Sequence, residues 1–585
     1  MGEAGSGKTR TLTSRVARLL SEPLCLSPQN VIVATFTVKA ASEMKDRLSK
    51  LVGESVGRRL LLGTFHSICR RYLVKYGHLI GLSQGWGIAD SGDSKEICRR
   101  IVKRRGLGDA VDPKQLQSRI SHFKARNLEP RVNAFPTVHS TNPAASTQKS
   151  TQIRKKDIAT EDFVLLYEDY HAQLESSNLL DYDDLLLRCL ELLKERPECV
   201  SNIEALLIDE FQDTNIVQYE LMRKFSWKHQ RITVVGDPDQ SIYGFRAAEI
   251  GNVRRMQRQY PDTLVVNLEE NYRSSASILQ AALVVIQQDG NRIDKALTAT
   301  HPIGPSPVLR RVPSPAAEAE WIVGEIKRLR AVTAGMIPLD GVAILVRSAH
   351  LTRNIETVLT RQGMAYKMVG GTRFFDRAEV KIVVEYLRVL QNPANNDAIV
   401  RIINVPSRKI GETTVRGLLE DAEKKKKSLW ESVYRGVCGH SPWGTKVAKI
   451  AEKGIESFVG LITKTMEKLD HPETTLADIV DDLLAKLNYK AYIQSQYPED
   501  FDSRWANVQE VFAQAREIRL DEDEEALPDI DGVQQQVGPQ GIPRAALERF
   551  LANAALVNER QRELATPDEK VAEITISTIH AAKGS

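Results

Sequence analysis

Two stretches carry residues whose types and spacing suit phosphoryl chemistry. Ala205-Leu-Leu-Ile-Asp-Glu-Phe-Gln-Asp213 runs four apolar residues into two acids. This pattern reads as a buried parallel strand whose C-terminal end delivers carboxylates to a crevice. One of the carboxylates there could hold Mg²⁺, and its neighbour could orient or deprotonate a water. Ordinary buried strands also end in acids, so the stretch alone leaves both readings open. The second stretch opens the chain. Gly2, Glu3, Ala4, Gly5, Ser6, Gly7, Lys8 and Thr9 satisfy G-x-x-x-x-G-K-[ST], and Arg10 follows. Its glycines let backbone N–H groups wrap a phosphate chain, and the helix N-terminus behind them favours the anion. Lys8 would reach the β- and γ-phosphates, and Thr9 would ligand Mg²⁺.

These groups need elements to hold them. Leu12, Val16, Leu19 and Leu20 fall on one face of a helix behind the glycine loop. Strand-like runs follow at Val31–Phe36, Leu61–His66, Arg231–Asp237 and Thr263–Asn267. Ala40, Ala41, Met44, Leu48 and Leu51 mark one face of a further helix. From about 80 to 190 the pattern turns helical and strands stop. Thr9 and Asp209 are 200 residues apart, far more than one crossover needs, so a helical subdomain interrupts an α/β core. Within it, 132–156 reads as a disordered Ser-, Thr-, Asn- and Pro-rich insertion.

A second α/β unit starts at Val342–Val346 and returns at Ile574–Thr578, with helical pattern between about 395 and 565. Basic pieces at 103–105, 124–126, 154–156 and 424–427 suit either phosphate contact or a solvated face. Asp521–Glu525 with Pro528–Pro543 reads as an exposed loop. Phe36, Phe65 and His66 sit at strand ends, where a ring could stack on a base or pack in the core.

Composition narrows the class. The 585 residues are 42% hydrophobic and 27% charged, as in globular proteins with several domains. A net charge of +4 makes any nucleic-acid surface a local patch. Six scattered cysteines without a CxxC pair argue against zinc or a disulfide framework. No apolar run approaches membrane-spanning length, so no membrane partner is expected.

In order along the chain stand GEAGSGKT (2–9), TFTVKAASEM (35–44), GTFHS (63–67), DEFQD (209–213), VGDPDQSIYGFR (235–246) and NYRS (271–274). VAILVRS (342–348), GGTRFFDRAEVK (370–381) and TIHAAKG (578–584) follow. The ordered set resembles the superfamily 1A DNA helicases of the UvrD, Rep and PcrA class. GTFHSICRRYLVKYG (63–77) and YPEDFDSRWANV (497–508) lean toward the fungal anti-recombinase branch.

The resemblance implies an α/β fold with two RecA-like motor domains, each interrupted by a helical subdomain. The first motor would span 1–80 and 190–285, with its helical subdomain at 81–189. The second would span 286–394 and 566–585, with its helical subdomain at 395–565. It also implies an ATP- and Mg²⁺-dependent 3′→5′ helicase and single-stranded DNA translocase in repair and recombination control. Glu210 would be the base, Gln240 the γ-phosphate sensor, Arg273 a γ-phosphate contact and Tyr272 the adenine stack. Phe36, Tyr243 and Phe245 match base-stacking positions; Phe245 stands where bacterial members usually carry Trp. Thr64, His66, Arg246 and His580 are further DNA-contact candidates.

Expected partners are single-stranded DNA, duplex junctions and, for the fungal branch, recombinase filaments. The expected state is a monomer or weak oligomer, in the nucleus if fungal and otherwise in the cytoplasm. Against the family pattern, both ends read as incomplete. The strand before the glycine loop and a final arginine motif are missing. Losing such an arginine is worth on the order of 10³–10⁵ in rate. The expectation is therefore little or no unwinding. The alternative is a catalytically silent fragment that binds nucleotide and DNA.

Overall fold

The computed structural model describes residues 5–108, 110–128, 160–242, 249, 251–290, 292, 296–369, 374–440, 443–445, 447–518, 527, 529–530, 532–533, 542–556 and 572–583. Four parallel strands build the first sheet: β1 (Val31–Thr35), β2 (Leu61–Thr64), β3 (Ala205–Ile208) and β4 (Ile232–Val234), in the order β2-β1-β3-β4. Side chains alternate across a strand, so each strand feeds two cores. Val31, Val33, Leu62, Ala205 and Leu207 meet Leu12, Val16, Leu19, Met44 and Leu48 on one face. Ile32, Ala34, Leu61, Leu206 and Ile208 meet the helices Phe65–Tyr76, Tyr182–Glu195 and Ile216–Phe225 on the other. Burial on both faces is what near-continuous apolar strands predict.

The second sheet has three parallel strands, β5 (Ala343–Val346), β6 (Tyr366–Val369) and β7 (Ile574–Thr578), with β7 in the middle. The helices Pro315–Val332 and Thr352–Arg361 cover one face through Val323, Ile326, Ile355 and Leu359. Each sheet is interrupted by helices that own a core. Ile97, Ile101, Leu116, Ile120, Phe163 and Leu166 form one; Val383, Leu387, Ile399, Phe458, Ile462 and Leu483 belong to the other. No helix among the described residues is long and apolar enough to cross a membrane.

Several expectations are corrected. Thr263–Asn267 is not a strand. No strand forms over these residues, and Leu264 is 85% exposed. Leu51 leaves the apolar face of its helix and is exposed, because the helix covers the sheet only through Ala41, Met44 and Leu48. Strands do not stop in the first helical insertion. Gly87–Ile88 pairs in parallel with Leu179–Leu180 where the chain enters and leaves it.

Lys124 is neither a phosphate contact nor solvated. Its ammonium lies 2.7 Å from both Asp181 and Asp184 and is buried. Within the region read as an exposed loop, Leu527 is buried against the first sheet's core. The 132–156 insertion, the basic piece at 154–156 and the acids 521–525 lie outside the described residues.

Candidate functional site: a phosphate cradle at the strand ends

In register, Thr35 lies beside Thr64 and Ala34 beside Ile208, which lies beside Val234. The residues just past these positions therefore gather along one sheet edge, the C-terminal edge where parallel sheets bind ligands. Asp209 emerges there, its N–H held by the Ala34 carbonyl at 2.9 Å. Asp237 emerges from β4 and is buried.

The helix Lys8–Leu20 starts at the same edge, behind Gly7. Gly5 and Gly7 have φ of +80° and +83°, a backbone that side chains disfavour. A Cβ on Gly7 would lie 2.1 Å from the Tyr272 hydroxyl, and one on Gly5 would lie 2.3 Å from Cβ of Arg273. The two glycines thus let 271–274 close over the loop. Tyr272 N–H donates to the Gly5 carbonyl at 3.2 Å. Buried Asn271 fixes that closure, its side-chain oxygen accepting from the N–H groups of Arg273 and Ser274 at 3.0 Å each.

Carboxylates converge on Lys8. Its ammonium stands 3.9 Å from Asp237, beyond hydrogen-bond reach. Asp237 also accepts from the Gln240 side-chain amide, and its N–H donates to Gln212 at 2.8 Å. Gln212 in turn donates to Glu210 at 2.5 Å. Glu210 has φ of 52°, the left-handed region that a non-glycine residue occupies at a cost. Burial, then the Glu210 carboxylate beside it, pushes Asp209 up to about 6. A divalent cation would relieve that crowding.

The donor set fits Mg²⁺, which prefers one or two carboxylates plus substrate phosphates. Thr9 and Asp209 are its candidate ligands. No cluster of three His, Cys, Asp or Glu that would hold a metal by protein alone occurs among the described residues. The glycine cradle fits a phosphate chain.

The structure brings together Gly5, Ser6, Gly7, Lys8 and Thr9 with Tyr272 and Arg273, and Lys8 with Asp237 and Gln240. Ser6 and Lys8 are buried, Thr9 is half-buried and Arg10 points to solvent. Gly2, Glu3 and Ala4 lie outside the described residues, as do Tyr243, Phe245 and Arg246. Phe36 is half-buried at the end of β1. Thr64 caps the helix Phe65–Tyr76, its hydroxyl accepting from Ser67 N–H at 3.2 Å, and Phe65 packs in the core. His66 meets Tyr182 edge-to-face at 6.1 Å. His580 lies half-buried in the turn after β7.

Asp237 and Lys583 are among the residues that received no role from the sequence. Asp237 gathers Lys8 and Gln240; its place at the end of an apolar run was the available signal. Lys583 crosses from the second α/β unit, its ammonium 2.7 Å from Asp213 and also donating to the Gln240 carbonyl. Nothing local in the sequence signals a contact spanning 370 positions.

Two family models match the chain. Residues 1–261 match the UvrD/REP helicase N-terminal domain, and 266–585 match the UvrD-like helicase C-terminal domain. The chain is 36% identical to the ATP-dependent DNA helicase srs2 of Schizosaccharomyces pombe, over 99% of this chain and 64% of that protein. It is 32% identical to the ATP-dependent DNA helicase PcrA of Staphylococcus aureus, over 100% of this chain and 73% of that protein. With PcrA of Leuconostoc citreum the identity is 30%, over 100% and 72%.

Proposed function

The chain belongs to the UvrD/Rep helicase family, and from that premise we propose that it is an ATP-dependent 3′→5′ DNA helicase and single-stranded DNA translocase in repair and recombination control. The observation that carries this reading is the convergence of Lys8, Asp209, Glu210, Asp237, Gln240 and the Tyr272–Arg273 segment at one sheet edge.

Each group has work that its position suits. Thr9 and Asp209 would hold Mg²⁺, which would supply positive charge against the phosphates. Lys8 would leave Asp237 for the β- and γ-phosphates. Glu210 would orient the attacking water and take its proton. Gln240, tied to Asp237, would sense the γ-phosphate. Arg273 would stabilise developing charge, and Tyr272 would stack on the base.

The first motor comprises 1–80 and 190–285, the second 286–394 and 566–585, with helical subdomains at 81–189 and 395–565. Phe36, Thr64, His66 and His580 would contact DNA, and the family likeness adds Tyr243, Phe245 and Arg246 as base-stacking and contact candidates. The substrates are single strands and duplex junctions; a fungal chain would work in the nucleus on recombinase filaments.

The test is ATP hydrolysis by this chain with and without single-stranded DNA, beside Lys8→Ala. DNA-stimulated turnover that the substitution abolishes supports the motor reading. Turnover that survives it, or that DNA never stimulates, overturns it.

A further inference from the structure

Between the helices Phe501–Glu517 and Ile542–Leu556, the described residues Leu527, Asp529, Ile530 and Val533 lie against the first motor domain. Leu527 is 6% exposed within the apolar cluster of the first sheet, and Ile530 and Val533 pack against that cluster. Lys75, in the last turn of the helix Phe65–Tyr76, donates to the Leu527 carbonyl at 2.6 Å and to the Asp529 carboxylate at 2.8 Å.

The contact does not stop there. Glu548 pairs with Arg70 of the same helix at 3.0 Å, and Tyr182 O–H donates to the Ala555 carbonyl. Leu547, Phe550 and Leu551 of the helix Ile542–Leu556 meanwhile lie in the second helical core. One continuous stretch therefore belongs to two bodies.

The chemistry is complementary. A short segment offers spaced apolar side chains and a carboxylate, and the run Asp521–Glu525 precedes it. The receiving helix end offers an apolar cluster edge with Lys75 and Arg70. We infer that the C-terminal half of Phe65–Tyr76 is a docking surface for an apolar and acidic segment, filled here by Leu527, Asp529, Ile530 and Val533 of the same chain. This docking holds the second helical subdomain on the first motor domain. It does not rest on the helicase reading.

The experiment uses the full chain with 527–533 replaced by Gly and Ser, and hydrogen exchange of amides 70–82 as readout. Exchange there is expected to rise roughly tenfold over the unaltered chain, equivalent to about 1.4 kcal/mol of lost protection. Excess synthetic Leu527–Val533 peptide should restore it, and Lys75→Glu should abolish that rescue. Asp529→Lys, which keeps the apolar contacts, should give a smaller rise and guards against a replacement that misfolds. Equal exchange in unaltered and altered chains, or a rise that the peptide leaves unchanged, overturns the inference.

Discussion

Two lysines are buried among aspartates in this chain, and they are held in opposite ways. Lys124 touches Asp181 and Asp184 at 2.7 Å each. Both acids are already spent on capping the helix Tyr182–Glu195, and Tyr170 O–H donates to Asp181 at 3.0 Å. Burial alone would lower the Lys124 ammonium's pKa, but the two carboxylates hold it above the ordinary lysine value. Lys8 is also buried, yet it stands 3.9 Å from Asp237 and makes no close pair with it. A cation locked on all sides is structural. A cation left at arm's length keeps its hydrogen-bonding capacity for a phosphate. Burial and charge therefore do not distinguish scaffold from site; the closeness of the pairing does.

Lys124→Met should strand two carboxylates in the interior and cost about 3–5 kcal/mol, read from urea denaturation. A loss below about 1 kcal/mol, the size of a surface pair, would remove the contrast. Lys8→Met should do the reverse. Stability should move by less than it does for Lys124→Met, because no close pair is broken, while steady-state ATP turnover falls on the order of 10²–10³-fold.

Lys583 tests an intermediate case, a close pair that joins two domains. Lys583→Met should lower the DNA-stimulated part of turnover roughly tenfold, within the usual range of coupling energies. Equal loss with and without DNA would place the residue in chemistry instead.

The same pair predicts a pH dependence. Burial pushes Asp213 up to about 6, against the pull of Lys583. Its folded value exceeds the unfolded one, so the folded chain takes up this proton first. Its contribution to stability falls as pH rises from about 4 to about 6 and is level above. Below about 6 the neutral carboxyl no longer pairs with Lys583, so DNA-stimulated turnover should show an acid limb there. Asp213→Asn should lower turnover at neutral pH and leave only the limb of Asp209, which burial also pushes up to about 6. The smallest effect expected is at Thr64, whose hydroxyl caps a helix. Thr64→Ala should cost about 1 kcal/mol, and a thermal melt would show it.

Much of the site was legible because its parts are local. A glycine loop, an apolar run ending in acids and a helical face each declare themselves within about ten residues. What stayed hidden depends on partners far along the chain. Periodicity put Leu51 on an apolar face but could not show that nothing covers it. Thr263–Asn267 has strand composition, yet β-propensity acts through packing, and Leu264 and Val266 are exposed. Leu527, among acids and glutamines, looked solvated until a distant lysine and an apolar cluster received it. The lysine at 124 sat in a basic run that gave no hint of Asp181 and Asp184.

The two-residue pairing of Gly87–Ile88 with Leu179–Leu180 has a consequence for how such a protein changes over generations. Adjacent strands lie about 4.8 Å apart, so the chain enters and leaves the first helical insertion side by side. Whatever is spliced between those gateposts is presented on a stalk of constant width. Helices on that stalk that touch nothing else can be lengthened or shortened while the two ends stay in register. The helix Ser91–Arg104 is not one of them: Asp93 pairs with Arg388 and Arg401, and Arg100 pairs with Asp397, so any change there has to be matched across that seam.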